Sequence, residues 1–220
     1  MKNQIFLVLI CLINITSLHA HYLWLETNDS GTIGKRHEIK VFFGEYTHGV
    51  IEKVAGENFP AVAEFDLWVI APNGTKIPLH PIAKENFYSV KFIPTESCVH
   101  TVVLNNDNID VIDYTKYDFC VFKTHYHSTA KIQIGDINDS TLAQNEKGLA
   151  LMQLPSNRKN AKFQIWYQGK PFPQQEVKIF LADLWEKNLT TDENGIISFN
   201  LPWNTKYILE TTTKEEVPGT

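Results

Sequence analysis
Basic clusters, long apolar runs and cysteine are all scarce in this sequence, and each shortage excludes something. The 20 basic residues form no run and no aromatic-rich basic face, which argues against nucleic acid as a partner. Beyond the first twenty residues no apolar stretch approaches the length that crosses a membrane. No pattern of helical period is long enough for a bundle. The G-x-S-x-G elbow, the H-E-x-x-H pair and the phosphate-cradling glycine loop are absent, and with them the familiar catalytic constellations. Cysteine is confined to Cys11, Cys98 and Cys120.

What is there begins with residues 1–20. They carry one charge (Lys2), an apolar run IFLVLICLINI and then TSLHA, the layout of a secretory signal peptide. Leu18 departs from the small residue such a site favours, and Ile10 before Cys11 speaks against a lipoprotein. Cleavage after Ala20 removes Lys2, takes the net charge from −5 to −6, and leaves His21 first. The expectation is an exported protein, periplasmic or extracellular. An amino-terminal histidine can chelate a metal with its α-amine and a ring nitrogen together. That amine titrates near pH ~8 and so gives up its proton to a metal more readily than a lysine.

The rest reads as β almost throughout. YLWLE, HEIKVFFG, FYSVKFIP and CVHTVVL suit short strands, and FDLWVIAPNGTKIPL is a hairpin around Pro72, Asn73 and Gly74. EYTHGVIEKVAGENFPAVAE lacks a period of two and reads as a long surface connection with room for one short helix. YDFCVFKTHYHSTAKIQIG is one long strand or two with a kink, ending at Gly135. Strands at this spacing predict an immunoglobulin-like β sandwich over 21–135. Residues 136–146 (DINDSTLAQNE) read as a linker. LALMQL, AKFQIWYQG, EVKIFLADLW, ISFNLPW and KYILETT then predict a smaller β sandwich over 147–220, with a polar tail from Thr213. The fold class expected is all-β, two consecutive immunoglobulin-like sandwich domains.

Cys98 and Cys120 form an even pair in an exported chain, which suggests a disulfide. If CVHTVVL and YDFCVF pair antiparallel, the two fall near each other. Two buried free thiols are the other reading. The acidic loop DNIDVID lacks the spacing of the twelve-residue calcium loop and reads as a solvated hairpin tip. Sequons stand at Asn28, Asn73, Asn138 and Asn188.

Chemistry must lie in the histidines. His125 and His127 stand two apart on a strand, on one face, and such a pair can grip a metal ion. Thr124 and Ser128 beside them fit a plain polar edge equally well. His48 lies in the irregular stretch, where a loop could bring it over a strand end. His37 reads as solvated, His80 has no partner in view, and His100 alternates with apolar neighbours as a buried histidine does. The candidate metal set is His21, His48, His125 and His127, with Glu26 or Glu45 as oxygen donors.

His21 behind a signal-like segment, followed by YLWLE, VFFGEY and FDLWVIAPNGTK, resembles a group of exported bacterial proteins of unknown function related to periplasmic components of nickel and cobalt uptake. GKPFPQQEVKIF, TTDENGIISFNLPW and KYILE look like the small β-sandwich module that follows in such chains. The resemblance implies that His21 is a metal residue, that a membrane metal transporter is a partner, and that a tail continues past the PGT stretch. The reading is therefore an exported binder of nickel, cobalt or copper that delivers its ion without catalysis. Imidazole and amine suit all three, so ligand type does not choose the ion. The alternative is a non-catalytic surface module for a glycan or protein. A third class, an oxidative enzyme holding copper at the amino-terminal histidine, calls for an extended aromatic platform that the sequence does not display.

Overall fold
The computed structural model describes residues 21–118, 120–135, 145–156, 159–181 and 185–217. The signal-like segment and most of the expected linker lie outside them. No α-helix occurs among the described residues, and the chain is all-β.

Among the described residues, twelve strands make up the first half. They are β1 (Tyr22–Thr27), β2 (Ser30–Gly31), β3 (His37–Glu45), β4 (Val50–Ile51), β5 (Asp66–Ile70) and β6 (Lys76–Pro78). Then follow β7 (Ile82–Ala83), β8 (Tyr88–Phe92), β9 (Cys98–Asn106), β10 (Ile112–Asp113), β11 (Val121–Phe122) and β12 (Tyr126–Ile134). One sheet runs β1-β3-β8-β7 with β4 also on β3, and the other runs β2-β12-β9-β5-β6. Alternation explains why the two share a core. Leu23, Ile39, Val41 and Phe43 of the first sheet meet Leu67, Val69, Val102, Leu104, Ile132 and Ile134 of the second.

The stretch without a period of two is mostly exposed, as expected of a surface connection, but three of its apolar residues are buried. It forms 3-10 turns at Tyr46–His48 and Phe59–Val62, with β4 between them, and it sends Val54, Phe59 and Val62 into the core. The expected hairpin is present as β5 and β6, with Ile70 opposite Lys76 and Gly74 at φ +84° in the turn.

The second half holds β13 (Leu149–Leu154), β14 (Asn160–Tyr167), β15 (Lys170–Pro171), β16 (Glu176–Leu181), β17 (Trp185–Thr190), β18 (Ile196–Asn200) and β19 (Ile208–Glu210). They form a sheet of β13-β14-β15 with β18 on β14, and a second sheet of β17-β16-β19. Ala161, Ile165, Val177, Ile179, Ile197 and Phe199 make its smaller core. The two halves touch at several points. Lys206 reaches Glu26 at 3.1 Å and lies over the Tyr46 ring, which also meets Phe180. Burial and the nearby Glu210 carboxylate push the Tyr22 phenol up to about 12.

The disulfide expectation is overturned. CVHTVVL pairs with β12, placing Cys98 opposite Ile134, whereas β11 pairs with β10. Cys120 lies beyond the Asn106 end of β9, whose nine residues span roughly 27 Å at strand rise, against the ~7 Å a disulfide tolerates. Both cysteines are free, Cys98 partly covered and Cys120 exposed. The exported chain is expected to titrate two thiols in denaturant without reductant, and none would mean that this register is wrong.

His37 is not solvated either. It is buried, with Nε2 2.7 Å from the Thr27 hydroxyl. His100 is buried beside Phe92, with Nδ1 3.3 Å from the Cys98 carbonyl. Burial holds both imidazoles below their usual range, against opposing pulls from the Asn28 backbone on one, and from the Cys98 carbonyl and Glu96 on the other. A histidine whose folded value is depressed contributes stability that is complete above its unfolded value of ~6.5 and is lost as pH falls below it. Denaturant midpoints are therefore expected to fall between pH 7 and pH 5. Replacing His100 with a neutral residue should flatten that slope, and an unchanged slope would show that the buried histidines do not set it.

Candidate functional site
The carboxylates around His21 come from one sheet by register alone. Tyr22 faces Gly44 across the β1–β3 ladder, so the next rung sets His21 beside Glu45. On the other edge of β3, Glu45 faces Val50 of β4, and Glu52 follows with its backbone N–H on the Phe43 carbonyl at 2.9 Å. His21 Nδ1 lies 3.2 Å from Glu45 Oε1, and Nε2 lies 2.8 Å from Glu52 Oε1. The Glu45 side chain is only 7% exposed and that of His21 30%. Asn58 donates to the same Glu52 oxygen at 3.0 Å. Those hydrogen bonds, from Asn58 first and His21 second, hold the Glu52 carboxyl below its usual range. The His21 ring packs 5.5 Å from Phe43, and its carbonyl accepts the Tyr126 hydroxyl at 3.0 Å.

Gly44 makes this arrangement possible. At φ +143° it carries no Cβ where one would stand 2.2 Å from the Val50 carbonyl oxygen, so β4 can close against β3 and deliver Glu52.

His125 and His127 lie at the same end of the molecule but on the other face of their sheet. Tyr126 between them packs into the core and bonds His21, so alternation turns its neighbours outward. His127 stands opposite Asn105 in the β9–β12 ladder and meets it at 2.9 Å. His125, one step before the strand, meets Asp107 at 2.8 Å. Burial holds the His127 imidazole below its usual range, with nearby His125 adding to this and Asp107 opposing it. His48 is exposed on its 3-10 turn.

The four histidines thus do not converge. Among the described residues no group of three His, Cys, Asp or Glu side chains could hold a metal ion. The reason at His21 is geometric: its two carboxylates sit at opposite ring nitrogens and cannot share one ion with the ring. Glu26, the other oxygen donor considered, is taken up by Lys206 and by the Trp24 indole N–H at 3.1 Å. Glu52, Asn105 and Asn145 carry no signal of their own in the sequence, and Asp107 reads there only as part of the acidic DNIDVID tip. Only the cross-strand match of N-x-D (105–107) with H-x-H (125–127) could have signalled two of them, Asn105 and Asp107.

Beside this face runs an open cleft of about 610 Å³, lined among others by Trp68, His80, Tyr88, Asp107, Asn145 and Glu146.

The described chain is an all-β protein with carboxylate-bracketed and amide-bracketed histidines at one end. It belongs to the family described as domain of unknown function DUF4198, which matches residues 18–215. A search of curated proteins finds no relative. Among solved structures it is similar to the CARDB domain of a Pyrococcus furiosus protein in complex with di-metal ions. That match has 14% identity and a TM-score of 0.30, and covers 56% of this chain and 95% of the other. It is also similar to a Salmonella alpha-2-macroglobulin mutant, with 11% identity and a TM-score of 0.34, over 87% of this chain and 14% of the other.

Proposed function
We propose that this is an exported protein, of two immunoglobulin-like sandwiches, that binds nickel, cobalt or copper at His21 for uptake or delivery without catalysis. The observation that carries the reading is the buried Glu45 carboxylate, 3.2 Å from His21 Nδ1. Two ligands of one ion at ~2.0–2.1 Å stand roughly 2.9–3.4 Å apart in octahedral or tetrahedral arrangements. The separation therefore suits two ligands of one ion as well as it suits a hydrogen bond. Two donors make a weak site, and cleavage after Ala20 supplies the third. The freed α-amine belongs to the same residue as Nδ1, so amine, imidazole and Glu45 oxygen close on one ion. Glu52 then holds Nε2 from behind, as carboxylates commonly hold the far ring nitrogen of a metal-bound histidine. A membrane transporter is the partner this role calls for.

The test is the metal affinity of the natively processed protein against one extended by a single residue before His21. The extension removes one ligand and displaces another, so affinity is expected to fall on the order of 100-fold or more. Equal affinity of the two forms removes His21 from any metal site. The cleft favours a second reading, a glycan-binding module, because Trp68 and Tyr88 offer aromatic surface next to the amide of Asn145. Saccharide binding by the extended form, with no metal affinity in the processed one, is the outcome that selects it.

A further inference from the structure
We propose that His125 and His127 form a transition-metal site of their own, with Nε2 of each ring as ligand and Asp107 and Asn105 fixing the Nδ1 sides. This does not rest on the His21 reading, because the pair faces away from His21 on the outer surface of the β9–β12 ladder.

The argument starts at Asn145, which is buried and held by the backbone. Its amide nitrogen donates to the Leu149 carbonyl at 3.3 Å, and its amide oxygen accepts the Lys147 N–H at 3.4 Å. A carbonyl only accepts and an N–H only donates, so the orientation of this amide is fixed. Asn145 then donates to Asn105 Oδ1 and accepts from Asn105 Nδ2 at 3.1 Å, which fixes the Asn105 amide in turn. The Asn105 oxygen faces His127 Nδ1 at 2.9 Å and can only accept, so Nδ1 carries the proton. His127 Nε2 is left with its lone pair. At His125 the Asp107 carboxylate takes the same part, accepting from Nδ1 at 2.8 Å. Neither Nε2 has a hydrogen-bond partner among the described residues.

Both rings therefore present the nitrogen a metal binds, from positions two apart, His127 on β12 and His125 one step before it. Each is steered from behind by an oxygen, as ligating histidines are. Gly148 completes the seat. A Cβ there would overlap the His127 ring at Nδ1, so the missing side chain is what leaves room for the ring beside the second half. His125 is 46% exposed, which leaves a way in and room for water as further ligands. Two neutral imidazoles with water suit zinc, copper, nickel or cobalt.

The experiment uses the full exported chain with one extra residue before His21, so that the amino-terminal site is disabled. Zn(II) and Cu(II) are titrated separately, and Cu(II) is followed by electron paramagnetic resonance. One ion per chain with two nitrogen ligands is expected. Affinity should fall at least about 100-fold in His127→Gln and in the exposed variant His125→Gln, and about 10-fold in Asp107→Asn, which removes no ligand. Unfolding midpoints of His125→Gln and Asp107→Asn in chelator should match the parent, so that lost binding is not lost folding. Ring 15N spectra of the metal-free protein at neutral pH should show the Nδ1-protonated tautomer for both histidines. No binding in the extended parent overturns the proposal without touching the His21 reading. So does binding that His125→Gln and Asp107→Asn leave unchanged, and so does an Nε2-protonated His127.

Discussion

Gly44→Ala is expected to cost about 3 kcal/mol or more of folding stability and to scatter the carboxylates around His21. Two effects add at this position. The backbone stands at φ +143°, a region that residues with a Cβ rarely enter. The new methyl would also lie 2.2 Å from the Val50 carbonyl oxygen and 3.0 Å from its carbon. Both are backbone atoms, so no rotamer change relieves the clash. Either β4 leaves β3, or the β1–β3 ladder opens beside His21. Glu52 rides on the end of β4, and its hydrogen bond to His21 depends on that strand staying closed. Urea unfolding should show the loss of stability, and the natively processed variant should bind metal more weakly than Glu52→Gln does. A midpoint within error of the parent would show that β4 can be moved at no cost and that Gly44 holds nothing in place.

Phe59→Ala should be the most costly change in the first core that touches no candidate ligand, at about 3–5 kcal/mol. Phe59 is fully buried, 5.6 Å from the Phe43 ring and 5.4 Å from Tyr88, and Phe43 in turn carries the His21 ring. Deleting it leaves a cavity under the strand that presents Glu45. The neighbours are strands in paired ladders, and they have little freedom to collapse into the gap. Stability should therefore drop sharply, and Phe59→Leu should recover much of it. If Phe59→Ala cost less than about 1 kcal/mol, the irregular segment would be a loose cover and no part of the core.

Much of this was legible in the chain, and the reasons are local. Alternation in HEIKVFFG, CVHTVVL and AKFQIWYQG marks strands because a strand turns successive residues to opposite faces. The Pro72-Asn73-Gly74 turn was readable because few residues accept its geometry, and His100 declared its burial by alternating with apolar neighbours. Non-local pairing was not legible. The choice of β12 over the Cys120 segment as the partner of β9 depends on which surfaces match across the intervening residues 107–125, and that choice separated the cysteines. Phe59 reads as loop in sequence because a single aromatic plug has no period to reveal it.

The sequence by itself determined an all-β chain, its strands and turns, and the histidines as its chemistry, because these follow from side-chain period and residue type. Only the tertiary structure decided which groups face each histidine. It set Glu45 and Glu52 on either side of His21 and Asn105 and Asp107 behind the other pair. It also placed the two groups on different sheets, the first on β1, β3 and β4 and the second on the outer face of β9 and β12. Those partners are fixed by ladder register and by a glycine that lets two strands close, neither of which any short stretch of sequence contains.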